Sequence, residues 1–278
     1  MTRYRLYTII RNSLIYLFLI LGIAVTLAPF VWMFLTSFKS SGGIFAYPPE
    51  WLPKHPTFAH YQKLFSEIKF FLHLKNSLIV AISATVINLF LSSMAGFAFA
   101  KYKFPGREKI FTFLLASMMI PGQVTMMPIF LLLKKFGLLN TYFGLIATGA
   151  VSVFGIFLIR QFMISIPNDL IESARIDGCS EFRIYWNIML PLCKPVLATL
   201  GIFSFMGAWN DFLWPLIVMI TEDMYTLPVA LANLNGQFPT EFGLLMAGAV
   251  VVVAPILLIF IFAQKFIIKG IATTGLKE

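Results

Sequence analysis

The chain has 278 residues, 59% of them hydrophobic and only 12% charged, against roughly 25% charged in soluble domains. That balance excludes an ordinary soluble domain and points to an integral membrane protein in contact with a lipid bilayer. A net charge of +9 would suggest nucleic acid in a soluble protein, but here the basic residues flank apolar runs, so no nucleic-acid partner is expected and the charge has a topological reading.

In chain order, Arg3, Arg5 and Arg11 precede an uncharged run at 12–38. It is longer than the 7–15 residues of a signal-peptide core, and it is read as a retained first span. The interval 39–75 is rich in proline and aromatics and holds all three histidines, His55, His60 and His73. Their spacing is not that of a metal-binding helix face, so a solvated loop is expected. Five more apolar intervals follow at about 76–100, 110–133, 141–159, 196–220 and 243–264, each near the ~20 residues a bilayer core requires. The expectation is an all-α, polytopic membrane protein with six transmembrane helices.

Orientation follows from lysine and arginine. With both termini inside, the inner side carries 14 of the 21 basic residues and the outer side seven, so the positive-inside rule puts both termini and the polar interval 160–195 in the cytoplasm.

Within the spans, Pro121 and Gly122, with Pro128, interrupt the third, which is tolerated where protein or a water-filled cavity satisfies the freed backbone. Gln123 and Thr125 stand beside that break as candidate pathway residues. Ser92, Ser93 and Gly96, with Ala84, allow close helix approach in the second span, as Gly243, Ala247 and Gly248 do in the sixth. Among the 12 acids only Asp211 lies inside a span. A carboxylate there is a functional candidate, and its neighbours Trp209, Asn210 and Trp214 are chemically suited to sugar recognition, with ring faces for C–H surfaces and amide or carboxylate groups for hydroxyls. The same residues equally suit a packing role or a helix break before Pro215.

The interval 160–195 reads as two short helices and a sharp turn. Pro167 suits a helix start, Asp169 and Glu172 fall in its first turns, Gly178 sits where a left-handed C′ residue is wanted, and Ser180 can cap a second helix. Phe182, Tyr185, Trp186 and Met189 recur at i, i+3, i+4 and i+7 as a single apolar stripe. The pair is expected to have little packing of its own. Cys179 and Cys193 read as reduced thiols rather than metal ligands.

The chain contains no G-x-x-x-x-G-K-[ST], H-E-x-x-H or G-x-S-x-G. No catalytic residue, metal site or cofactor is therefore expected in it, and energy must come from an ATPase partner or from an ion gradient. The second source would make the chain a secondary transporter or channel with Asp211 as its ion site. It leaves a long polar hairpin unexplained.

Glu172, Ser173 and Ala174, then Asp177 and Gly178, then Ile188, Leu190 and Pro191, resemble the EAA loop of the membrane subunits of ATP-binding-cassette (ABC) importers, whose usual form is E-A-A-x-x-D-G followed by I-x-L-P. Ser173 replaces the usual alanine. The resemblance extends over the whole chain through 48–53, 119–123, 137–142 and 209–215, and is closest to carbohydrate-import permeases of the maltose and sn-glycerol-3-phosphate type. It implies the type I ABC importer permease fold, with an N-terminal helix and external loop at 1–73, a transmembrane domain at 74–265 and a cytoplasmic tail at 266–278. The resemblance also implies partners: an ATPase dimer that binds ATP and magnesium and docks on the loop, a second homologous permease, and an external solute-binding protein. Localisation would be a bacterial or archaeal cell membrane. The carried solute is not specified.

Overall fold

A computed structural model of the chain describes residues 2–66, 69–237 and 241–275. In chain order its helices are α1 (Thr2–Thr36), α2 (Ser41–Ile44), α3 (Ala59–Ser66), α4 (Phe70–Lys101), α5 (Arg107–Ser117), α6 (Gly122–Lys135), α7 (Tyr142–Gly149) and α8 (Val153–Ile164). They continue as α9 (Asp169–Ile176), α10 (Glu181–Ile184), a π-helical turn (Tyr185–Met189), α11 (Leu190–Leu192), α12 (Lys194–Asn210), α13 (Leu213–Val218), α14 (Leu227–Gln237) and α15 (Phe242–Gly275). No strand occurs among the described residues. This is what a bilayer permits, because a helix satisfies its own backbone polar groups without water.

Among the described residues, three helices are individually long and apolar enough to cross a membrane: Tyr7–Thr36, Phe70–Lys101 and Phe242–Ile261. Three bent pairs, α5 with α6, α7 with α8, and Glu181–Leu192 with α12, bring the total to as many as six if each pair is one span. The third predicted span is the pair α5 and α6, turned through 96° at the Pro121 break. The fourth is α7 and α8, bent by 43°, where the sequence reading expects one continuous helix. The fifth is interrupted at Asp211 and Phe212, between α12 and α13. Helix α15 continues past the predicted span end at 264, so the expected tail is helical as far as Gly275; residues 276–278 of that tail lie outside the described residues.

The chain divides into two compact units, 1–69 with 231–254, and 70–230 with 255–278. In the first, the 39–66 segment is organised around Lys39, which is buried. Its ammonium donates to the Glu50 carbonyl at 2.6 Å and stands 4.0 Å from the Trp32 ring centroid, while Trp51 meets Trp32 edge-on at 5.5 Å. The ring of His60, also buried, donates to the Lys39 carbonyl at 2.9 Å and packs on Gly243, where an added Cβ would collide with it. The expectation of a solvated loop is therefore corrected for two histidines. His60 is a structural donor, and His73, buried on α4 in the second unit, bonds the Tyr225 carbonyl at 3.2 Å. His55 alone of the three is exposed.

The second unit is built on α4, α8 and α12. Small residues set the spacing: a Cβ on Gly96 would lie 2.6 Å from Ile159 Cγ2, and one on Gly155 would lie 2.8 Å from Ser92 Oγ. Close backbone approach of this kind replaces the missing hydrophobic drive between helices in lipid. The core of this unit does not stop at the ends of the spans. Phe97, Ile159, Met163, Val196 and Leu200 from the long helices share one cluster with Ile171, Ala174, Ile184, Tyr185 and Met189 of the polar interval.

Candidate functional site

The interval 160–195 forms the hairpin its sequence predicts, and the turn can be followed bond by bond. Helix α9 ends at Ile176. Gly178 has φ +79, its N–H donates to Arg175 O at 3.0 Å, and Cys179 N–H donates to Ala174 O at 2.9 Å. Those two bonds are the Schellman pair, which satisfies helix-end carbonyls only when C′ adopts the left-handed conformation that glycine tolerates. Ser180, in extended conformation, then accepts from Arg183 N–H at 3.4 Å and starts α10.

A polar clasp closes the turn. Arg175 donates from Nε to Glu181 at 2.7 Å and from Nη2 at 3.2 Å, and the Tyr102 hydroxyl donates to the same carboxylate. The hydrogen bonds from Arg175 and then Tyr102 hold the Glu181 carboxyl below the usual range, while burial first and Glu181 second push the Tyr102 hydroxyl up to about 12. Tyr102 therefore remains a donor at any physiological pH. On the other arm, Lys101 donates to Ile166 O at 2.5 Å and Asn168 Oδ1 at 2.9 Å. The end of α4 thus holds both arms of the hairpin.

The hairpin is not loosely packed, contrary to the sequence expectation, because its apolar residues complete the core of the spans. Nor is the apolar stripe single. Tyr185 and Met189 are buried, whereas Phe182 and Trp186 are exposed and stacked on each other at 6.2 Å with planes 15° apart. The physical reason is the π-helical turn at Tyr185–Met189: its wider i→i+5 winding breaks the 3.6-residue register on which the stripe relies.

Of the predicted docking residues, Glu172, Ser173, Asp177, Gly178 and Pro191 are exposed, and Ile188 and Leu190 are half-buried against the core. Ala174 is a correction. It is 5% exposed and faces the chain's own core, so its small size serves internal packing rather than close approach of a partner. Sequence reasoning missed Ile176, which is 86% exposed at the tip of α9. The signal was available, since it lies five positions after buried Ile171, which turns it about 140° around the helix.

The predicted pathway residues are only partly brought together. Gln123, Thr125 and Asp211 line one cavity of about 540 Å³, whereas Trp209 and Asn210 do not. Trp209 is buried and stacked on Phe205 at 5.6 Å, and the Asn210 amide donates to Met206 O at 2.9 Å. Helix periodicity separates these three neighbours: Asp211 leaves the helix in an extended conformation and its Oδ1 accepts from Trp214 N–H at 3.3 Å, capping α13. Asn88, Thr148 and Ser204 also line the cavity and were not foreseen. Asn88 stitches the wall together, donating to Ser204 Oγ at 2.9 Å and accepting at Oδ1 from Ser92 Oγ at 2.6 Å and Ser152 N–H at 3.2 Å. The last bond satisfies backbone freed by the α7/α8 break. A lone amide in the middle of an apolar span was the signal for it.

Residues 88–273 match the model of the family described as "Binding-protein-dependent transport system inner membrane component". The chain belongs to that family. As an inner membrane component of a binding-protein-dependent transport system, it is a transport subunit, and the matched segment contains the whole hairpin and most of the cavity wall. Among its relatives, the arabinooligosaccharides transport system permease protein AraQ of Bacillus subtilis (strain 168) is 40% identical over 226 residues, covering 81% of this chain and 80% of that one. The diacetylchitobiose uptake system permease protein NgcG of Streptomyces coelicolor (strain ATCC BAA-471 / A3(2) / M145) is 34% identical over 258 residues, covering 91% and 85%. The fold is that of a chain in the crystal structure of a bacterial ABC transporter involved in alginate import, with a TM-score of 0.82 at 24% identity, covering 94% of this chain and 96% of that one. This places the inner membrane component described here in the type I ABC importer permease fold.

Proposed function

We propose that the chain is one of two homologous permease subunits of an ATP-driven importer, and that the pair forms the translocation pathway for a carbohydrate. In this reading an ATPase dimer, which binds ATP and magnesium, docks on the hairpin, and a solute-binding protein delivers the sugar from outside. The observation that carries it is the hairpin's double character. Its buried residues share a core with α4, α8 and α12, while Ile176 and the stacked rings of Phe182 and Trp186 are exposed, as are Glu172 and Asp177. Large apolar side chains exposed on an otherwise polar segment suit a protein interaction site. A hairpin fused to three spans converts a push on its tip into movement of those spans as a body, because packed cores do not deform continuously.

The carbohydrate part of the reading is supported by relatives named for arabinooligosaccharide, diacetylchitobiose and lactose transport. The positive-inside distribution supports a cytoplasmic hairpin and cytoplasmic termini. The test is purification in mild detergent followed by reconstitution: an ATPase and a second permease should co-purify, and the complex should take up an oligosaccharide only with ATP and a loaded binding protein. Uptake that follows an ion gradient without ATP would contradict the reading.

A further inference from the structure

The cavity between α4, α6, α7 and the α12/α13 break has a wall chemistry more specific than its size. At about 540 Å³ it lies within the roughly 300–1,000 Å³ of ligand pockets. Its polar groups include Asn88, Gln123, Thr125, Thr148, Ser204 and Asp211, and Asp211 is the sole ionisable side chain that lines it among the described residues. Among the described residues no lysine, arginine or histidine lines it to balance that carboxylate.

The hydrogen-bonding capacity left on the wall can be counted. Ser204 Oγ accepts from Asn88, and its own O–H has no acceptor among the described residues. The Gln123 amide has no protein partner among them either, so it offers both a carbonyl and an NH₂. Asp211 uses Oδ1 for the Trp214 N–H, which leaves Oδ2 as an acceptor without a protein donor among the described residues. Hydroxyl-bearing ligands both give and take hydrogen bonds, and they match this set. An anion does not: it meets an uncompensated carboxylate in a concave site with apolar walls, where the field of a fixed charge is concentrated rather than dissipated.

We propose that this cavity accepts carbohydrate units that carry no negative charge, and that Asp211 is the residue that rejects anionic sugars. The inference rests on the transport reading above and narrows its substrate class. It separates selection in the membrane from selection by the binding protein, since the wall excludes acidic saccharides whatever is delivered to it.

The test uses the chain purified with its partner subunits. Gln123→Cys is introduced in a Cys179→Ala background, with the buried Cys193 left in place. Labelling rates are measured with a cationic and an anionic methanethiosulfonate of similar size, alone and with a neutral trisaccharide (arabinotriose) or a trisaccharide of uronic acids present. The expected result is modification at least about tenfold faster by the cation, a bias abolished by Asp211→Asn and kept by Asp211→Glu. Arabinotriose should slow the labelling and the oligouronate should not. Equal rates, a bias that survives Asp211→Asn, absence of protection by arabinotriose, or equal protection by both sugars would each overturn the proposal. The wild-type bias and the sugar pair are read without any change at 211, so a poorly folded Asp211 variant leaves the test decisive. Failure of the transport reading would show separately, as a complex with no ATP-dependent uptake of any oligosaccharide while the labelling bias stands.

Discussion

The hydroxyl of Tyr185, in the π-helical turn of the hairpin, and that of Ser93, on α4, share a buried hydrogen bond of 2.7 Å. It is buried, whereas the bonds from Lys101 and Tyr102 to the hairpin are part-buried or exposed. On that helix Asn88, five residues away, stitches the cavity wall. One rigid helix therefore touches both the proposed docking element and the proposed pathway.

Tyr185→Phe removes this tie and keeps the ring that packs on Phe97 at 5.6 Å. Ser93 Oγ retains its bond to Phe90 O at 3.0 Å, so no buried hydroxyl is left wholly unpaired. The expected loss is about 0.5–1.5 kcal/mol, seen as a small fall in the Tm of the detergent-purified complex. Transport per ATP hydrolysed should fall more than the Tm suggests.

Gly178→Val places a β-branched residue at φ +79, at a cost of about 1–3 kcal/mol. No heavy atom outside the turn lies within 4 Å of a Cβ there, so the penalty is one of backbone conformation rather than collision. Because Ile171, Ala174, Ile184 and Met189 anchor both arms in the core, the strain should reshape the tip while the spans stay inserted. Membrane levels should be near normal and substrate-stimulated ATP hydrolysis should be lost. Cys179→Ala should be nearly silent in the same assay.

The clasp between Arg175 and Glu181 gives a pH dependence of known sign. Glu181 has its pKa lowered in the folded hairpin, so its contribution is fully present above its unfolded value near ~4.3 and is lost as pH falls through the folded value. Both groups are largely exposed, so the effect is small and weakened by salt. Hydrogen exchange of residues 174–184 should accelerate on going from pH 7 to below 4, after correction for the intrinsic rate, and Glu181→Gln should abolish that excess.

How much of this was legible in the residues differs from element to element. The spans were, because a bilayer leaves helices as the solution for long apolar runs; so was the turn at Gly178, because left-handed backbone and glycine go together. The burial of His60 and His73 was not, since it depends on carbonyls of Lys39 and Tyr225 that are distant in sequence. The split of Phe182 and Trp186 from Tyr185 and Met189 was hidden by an assumed α-helical period that the π-turn violates. Asp211 lines the cavity, but its neighbours Trp209 and Asn210 were grouped with it by sequence adjacency, which a helix end does not preserve in space.

The orientation proposed from basic residues is tested by single cysteines at His55 and Asn187, both exposed. A membrane-impermeant thiol reagent applied outside intact cells should label His55→Cys and spare Asn187→Cys. The reverse pattern would invert the topology.

The central claim is that the outer face of the hairpin is where an ATPase docks, and Ile176→Glu tests it most directly. Ile176 is 86% exposed, so the substitution removes little of the contact that the chain makes with itself, and the Tm of the isolated subunit should change little. A docked isoleucine is worth about 1.5–3 kcal/mol, so ATPase retained on the affinity-purified permease at limiting ATPase concentration should fall at least about tenfold, with stimulated hydrolysis falling in parallel. Full ATPase retention and wild-type stimulation in Ile176→Glu would contradict the account.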